Sequence, residues 1–254
     1  MSAAGVRLTR DDRGVFTFTL DRPATRNALG TDVLADTEQA LAGLAADPAV
    51  RVIVFTGTGE TFSSGADRAE IADPAAIDKA TGLLSSILTL IDESAAPVVC
   101  RVNGAAFGAG LAILAAADIS IAVSDAVFGL PEVRFGMVAG PAAAACLGRI
   151  GQAAALDVLL TGRRFAAEDA KRMHLLSAVV TREELDAAVE ECIAELLLGD
   201  AGALAATRRF VRGLSGPTLG VRLRAASDDS EYCCAATVPG PPHHDRPQNP
   251  GRAN

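Results

Sequence analysis

The sequence predicts an α/β fold, and three observations predict it. Short runs of β-branched and aromatic residues recur between turn residues, stretches with helically spaced apolar residues separate them, and 50% of the chain is apolar while 21% is charged, the composition of a folded globular body. At 254 residues the chain is also long enough to bury a large core.

The elements follow in chain order. Runs over 6–9 and 15–20 read as the first strands; in the second, Val15-Phe16-Thr17-Phe18-Thr19-Leu20 alternates with period two. Asp21-Arg22-Pro23 breaks the pattern. A helix is expected over 27–46 on a stripe of Leu29, Val33, Leu34, Leu41 and Leu44. It stops at Asp47-Pro48, because a residue before proline avoids helical geometry. A buried strand over 51–56 leads into the glycine-bearing stretch Gly57 to Asp67. A helix over 75–93 ends before Pro97, a strand follows over 98–102, and an alanine-rich helix over 108–117 comes after the loop at Asn103-Gly104. Strands near 119–123 and 126–128 lead into Leu130-Pro131-Glu132. From Thr181 onward the pattern is mainly helical. After Tyr232 it collapses into a run rich in Pro, Gly and polar residues, the composition of a disordered tail.

Composition narrows the function. A net charge of −8 with no Lys or Arg run argues against nucleic acid and an anionic membrane as main partners. The longest nearly unbroken apolar stretch, 105–117, falls short of the ~20 residues of a membrane helix, and the N-terminus lacks the layout of a secretory signal. Five cysteines (Cys100, Cys146, Cys192, Cys233, Cys234) without a CxxC pair offer neither a disulfide frame nor a zinc frame. They point to the reducing cytoplasm. No metal site is expected: two of the three histidines, His243 and His244, sit in the tail, and His174 reads as a structural residue at a helix end. Lys79 and Lys171 lack the preceding glycine of a phosphate-binding loop, Phe62 stands where a dinucleotide fingerprint needs its third glycine, and no GxSxG elbow is present.

Two segments have the shape of a catalytic device. Ser63 to Asp67 and Asn103 to Gly110 each follow a buried strand and open toward a helix through glycines. Backbone N–H groups at a helix start lack partners, and two such loops side by side would hold one oxygen between two donors, an oxyanion hole. The same glycines also serve as plain turn formers. Glu132, after Pro131, has the placement of a residue that complements a helix dipole. Asp67 reads as a helix cap, Asp118 as a residue leading into a strand, and Arg22 and Arg26 as solvated charges.

Ordered motifs add a family. LDRPxxRNAL over 20–29, TGxGxxFSSGAD over 56–67, PVVxxVNGxxFGAG over 97–110, Asp118, FGLPE over 128–132 and LTGxxFxAxxA over 160–170 together resemble the enoyl-CoA hydratase/isomerase family, the crotonase superfamily. The likeness runs from about Val6 to Leu214. It implies a spiral of strand-strand-helix turns over 1–195, a helical C-terminal trimerisation region over 196–232, and the tail over 233–254. It further implies a homotrimer or hexamer and an acyl-CoA thioester substrate, free or on a carrier protein, with no cofactor beyond the substrate's own CoA.

Carried over by position, the oxyanion donors are the amides of Ala66 and Ala109, with CoA contacts at Arg26, Ser64, Ala66 and Asp67. Family hydratases use two glutamates; Glu132 matches one, and Ala112 stands at the other. A methyl group moves no proton, so the resemblance favours a single-glutamate double-bond isomerase over a hydratase. Decarboxylation, carbon–carbon bond formation at the same hole, and a catalytically inert acyl-CoA-binding subunit are the alternatives. The family's proline and paired glycines after Glu132 are replaced over 136–145, and its basic, aromatic C-terminus is absent.

Overall fold

The computed structural model describes residues 2–3, 5–45, 47–214 and 218–228. The β-branched and aromatic runs form two sheets. In the larger, β1 (Ser2–Ala3), β2 (Val6–Arg10) and β3 (Val15–Leu20) make an antiparallel edge. The parallel strands β4 (Val52–Gly57), β6 (Val98–Val102), β8 (Ile119–Val123) and β11 (Ala178–Val180) continue it, so that the order is β1-β2-β3-β4-β6-β8-β11. Every residue of β4 is buried, as expected of a strand covered on both faces. Phe18 and Phe55 face each other in register and stack at 4.9 Å.

The smaller sheet is built from the tips of the same turns. β5 (Thr61–Ser63), β7 (Ala105–Phe107) and β9 (Val127–Gly129) pair in parallel, and β10 (Arg164–Ala166) closes the edge antiparallel to β9. The chain therefore repeats strand, short strand, helix: β4 and β5 lead to α2 (Pro74–Glu93), β6 and β7 to α3 (Ala109–Ala116), β8 and β9 to α4 (Gly140–Thr161). This is the spiral α/β architecture that the motifs imply.

Local chemistry moves some boundaries. The first helix, α1 (Thr31–Leu44), starts four residues later than its apolar stripe predicts. Arg26 and Asn27 take left-handed φ values of 55° and 56°, and the buried Asn27 amide donates to the Thr58 and Thr61 carbonyls at 3.0 and 2.7 Å. Arg51 lies just outside β4 and donates its guanidinium to the carbonyls of Leu197 and Gly199. Helix α4, β10 and β11 have no counterpart in the sequence reading, which has only the end of α5 (Ala167–Arg172), at His174. Strands of three residues show no period, and the Gly/Ala-rich face of α4 carries little apolar contrast. His174 follows α5 in a left-handed conformation at φ 63°.

Helices α2 and α4 have the length and apolar composition to cross a bilayer. Both pack into the body instead, α2 through buried Leu84, Ile87, Leu88 and Ile91, α4 through Ala142, Ala145 and Cys146. After α6 (Leu185–Leu198) comes α7 (Ala201–Leu214), which buries none of its residues, and then α8 (Leu219–Asp228), which lies on α4 and α2 with Leu219 and Leu223 buried. The tail expected over 233–254, with Cys233 and Cys234, lies outside the described residues.

Candidate active site

Three adjacent parallel strands of the small sheet end at one edge, and each hands over a site residue within three positions of its end. Ala66 follows β5, Ala109 opens α3 after β7, and Glu132 lies in a 3₁₀ turn (Pro131–Phe135) after β9. Because β7 lies between β5 and β9, Ala109 lies between the other two. The carboxyl ends of parallel strands are where open α/β sheets place ligands, since loops there converge without blocking one another.

Both amide-bearing loops are held by close backbone approach. Gly65 has φ +87°, and a Cβ there would stand 2.8 Å from the Phe107 carbonyl oxygen. The Ala66 loop is pinned to the segment before α1, with Ser64 N–H donating to Arg26 O at 2.9 Å and Leu29 N–H to Gly65 O at 2.8 Å. The buried Ser63 hydroxyl donates to Asn27 O at 2.8 Å and accepts from Gly65 N–H at 3.1 Å. Among the described residues, neither the Ala66 nor the Ala109 amide donates to a protein acceptor.

Ala66, Asp67, Ala109 and Glu132 line one cavity of ≈ 110 Å³, walled by apolar side chains of α1, α2 and the start of α4. The Glu132 carboxylate turns inward. Its Oε2 is buried with no protein donor in reach among the described residues. Burial pushes its pKa above the usual carboxylate range, offset only by its own amide. The charge is felt by Cys146, a fully buried thiol pushed up to about 12 by burial first and by Glu132 second.

The other expected contacts divide. Asp67 caps no helix: its Oδ1 accepts from Ala69 N–H at 3.1 Å, and its Oδ2 lies 3.4 Å from Arg22 Nη1. Arg22 is accordingly a half-buried ion-pair partner and not a solvated charge. Arg26 is exposed and Ser64 donates its hydroxyl to Thr25 O; neither lines the cavity. Ala112 is fully buried and absent from the cavity wall. Two residues escaped the sequence reading. Glu70 lines the cavity while its carboxylate accepts from Thr31 N–H and O–H at 3.0 to 3.1 Å. Asn27, described above, staples the neighbouring loops. An acceptor four residues past Ala66, and an amide beside a turn, were the available signals. No group of three or more metal-ligating side chains occurs among the described residues.

The Enoyl-CoA hydratase/isomerase family profile matches residues 10–229. The chain belongs to the enoyl-CoA hydratase/isomerase family. A Mycobacterium bovis relative named Probable enoyl-CoA hydratase echA12 is 35% identical over 179 residues, 66% of this chain and 63% of that protein. Probable enoyl-CoA hydratase echA8 of the same organism is 35% identical over 179 residues, 70% of each. The aligned stretch thus spans about two thirds of the length of these curated relatives. A crystal structure of an enoyl-CoA hydratase from Mycobacterium avium subsp. paratuberculosis superposes with a TM-score of 0.84 at 30% identity, covering 94% of this chain and 92% of that one. Membership in the enoyl-CoA hydratase/isomerase family accounts for the spiral order of the strands and for the convergence of the three loops at one cavity.

Proposed function

We propose that the protein is an acyl-CoA double-bond isomerase that works through an enolate, with Glu132 as its one proton carrier. The observation that carries this reading is the inward carboxylate of Glu132, whose buried Oε2 has no protein donor among the described residues, beside the free amides of Ala66 and Ala109. A thioester carbonyl between those amides would gain two hydrogen bonds as charge develops on its oxygen. Glu132 then removes a proton from C2 of a 3-enoyl thioester, the electron pair moves into the carbonyl to give the dienolate, and the same carboxyl returns the proton at C4. The double bond shifts from the 3,4 to the 2,3 position with no net gain or loss of atoms. The raised pKa suits a base that must give the proton back. No resident cofactor is needed.

Around this chemistry we assign CoA contacts to Arg26, Ser64 and Asp67, on the loops next to the cavity. Exposed Val133, Phe135, Leu156 and Leu160 form apolar surface on the Glu132 turn and on α4, which supports assembly of copies into a trimer or hexamer. Hydration of 2-enoyl thioesters is the second reading, favoured by the names of the relatives. Against it, Ala112 offers no second proton carrier, and the Glu70 oxygens are engaged by Thr31.

The test is a 3-enoyl-CoA incubated with the protein in heavy water. Isomerisation predicts 2-enoyl-CoA with deuterium entering at C2 or C4. Formation of 3-hydroxyacyl-CoA from a 2-enoyl-CoA, as the only turnover, would establish the hydratase instead. Binding of acyl-CoA with no exchange at either carbon would reduce the chain to an inert binding subunit.

A further inference from the structure

A cavity of ≈ 420 Å³ lies at the opposite end of α3 from Ala109 and shares no lining residue with the reaction cavity. Four arginines line it: Arg149 from α4, Arg208 and Arg212 from α7, and Arg222 from α8. Much of their hydrogen bonding serves the fold. Arg208 donates to carbonyls at the end of α2, those of Ile91, Asp92 and Ser94. Arg212 donates to Ala116 O at 2.8 Å, and Arg149 to Ala117 O at 2.8 Å, at the end of α3. Asp118 accepts from Arg208 and Arg212 at 2.7 Å each, and Arg212 also pairs with Asp92.

Carbonyl capping explains why arginines are present but not their number. Leaving Arg222 aside, three guanidinium groups face two carboxylates among the described residues, an excess of positive charge in a chain whose net charge is −8. Burial pushes the pKa values of Arg149, Arg208 and Arg222 down, the neighbouring carboxylates of Asp92 and Asp118 push back up, and the Arg212 charge pushes each down again. An uncompensated charge in such surroundings is costly, and an anion would relieve the cost. Donors remain for one. Arg149 Nη2 and Arg212 Nε reach no protein acceptor among the described residues. The remaining wall is apolar, with Pro97, Leu196, Leu204 and Leu219.

We infer that this cavity is a second binding site, for an amphiphilic anion: a carboxylate or phosphate monoester on a short apolar chain. Guanidinium forks match both head groups, the volume falls within the range of small-molecule pockets, and the apolar wall takes the chain. Because the arginines come from α4, α7 and α8, the ligand would tie the C-terminal helices to the end of α3. The inference is independent of the reaction at Glu132.

Titration calorimetry on the full chain with octanoate and with octyl phosphate tests it, with 1-octanol as the uncharged control. Three variants assign the site. Thr207→Trp fills this cavity from an exposed position on α7, Arg149→Met removes a charge, and Ala80→Trp fills the reaction cavity. We expect saturable binding of at least one anion, unchanged in Ala80→Trp and weakened about tenfold or more in Thr207→Trp and Arg149→Met, as for a lost charge-assisted contact. The tighter of the two anions identifies the head group. If Arg149→Met does not fold, Thr207→Trp alone decides. No saturable binding of either anion, octanol binding as tightly, or binding lost in Ala80→Trp and kept in Thr207→Trp would each overturn the inference.

Discussion

Gly108 and Glu132 lie against each other: a Cβ built on Gly108, whose φ is +51°, would stand 2.8 Å from Glu132 Oε1. The absence of a side chain at the start of α3 therefore makes room for the carboxylate and permits the backbone turn that frees the Ala109 amide. Gly108→Ala asks the chain to accept both a strained φ and a displaced carboxylate. We expect a loss of about 1–3 kcal/mol in stability and a fall in turnover of about 100-fold, the cost of misplacing a catalytic group by an ångström. Denaturant melts and steady-state rates measure the two separately. A fully active Gly108→Ala protein would detach this packing from catalysis.

Glu132→Gln should remove about 10²–10⁴-fold of the turnover while acyl-CoA affinity stays near that of the parent, since the amide keeps the shape and loses the base. The same change should stabilise the fold at neutral pH by on the order of 1 kcal/mol, because a buried carboxylate with an orphaned oxygen is replaced by an uncharged group. The sign follows from the raised pKa: the folded state favours the protonated acid, so the contribution of Glu132 is fully present below its unfolded pKa and is lost as pH rises through the higher folded value. The stability advantage of Glu132→Gln should therefore shrink as the solution is acidified. Thermal melts across pH give the comparison.

The rate itself should carry the same group with the opposite benefit. Proton removal requires the ionised carboxylate, so activity should rise with pH through a midpoint above the ordinary glutamate value of 4.5. A pH profile of turnover, repeated in Glu132→Asp to see whether the acidic limb moves, checks this. An acidic limb at or below the ordinary value would mean that another group is the base.

Ala112→Glu, the substitution that would restore a second family glutamate, should not create an efficient hydratase. Ala112 is 0% exposed and does not touch the cavity, so a carboxylate there is buried among apolar neighbours and should cost about 3 kcal/mol or more. Water addition to a 2-enoyl-CoA, followed beside a denaturant melt, reads both outcomes. Stable protein with strong new hydration would show that α3 can shift to admit the acid.

Asn27→Ala removes donors to the Thr58 and Thr61 carbonyls and the acceptor for Arg22 N–H. Leaving buried carbonyls without partners should cost about 2 kcal/mol, and turnover should fall with it because the Ala66 loop leans on the same segment. Amide hydrogen exchange over 57–66 should speed up in the variant; unchanged exchange there would confine the role of Asn27 to its own turn.

Much of this was legible in the order of residues. Alternation over 15–20 and the apolar runs over 51–56 and 98–102 are local facts, and strands formed on them within a residue of those bounds. The glycine loops around Ala66 and Ala109 were likewise visible, because a turn needing positive φ selects its residues locally. Helix α4 was not, since alanine and glycine give almost no contrast between faces, and neither was the left-handed turn at Arg26 and Asn27, which bonds to carbonyls some thirty positions away. Asp67 and Arg22 were misread for the same reason: their partners lie far along the chain.

The sequence alone determined the alternation of strands and helices, the three loops that carry Ala66, Ala109 and Glu132, and the absence of a second acid at Ala112. Only the tertiary structure decided that these loops lie on adjacent strands of a second sheet, that Glu132 turns into a largely apolar cavity and binds its proton more tightly, and that four arginines gather at the far end of α3. The division has a physical cause. Backbone geometry and amphipathic pattern are set by neighbours within a few residues, whereas desolvation and charge balance depend on groups that only folding brings together.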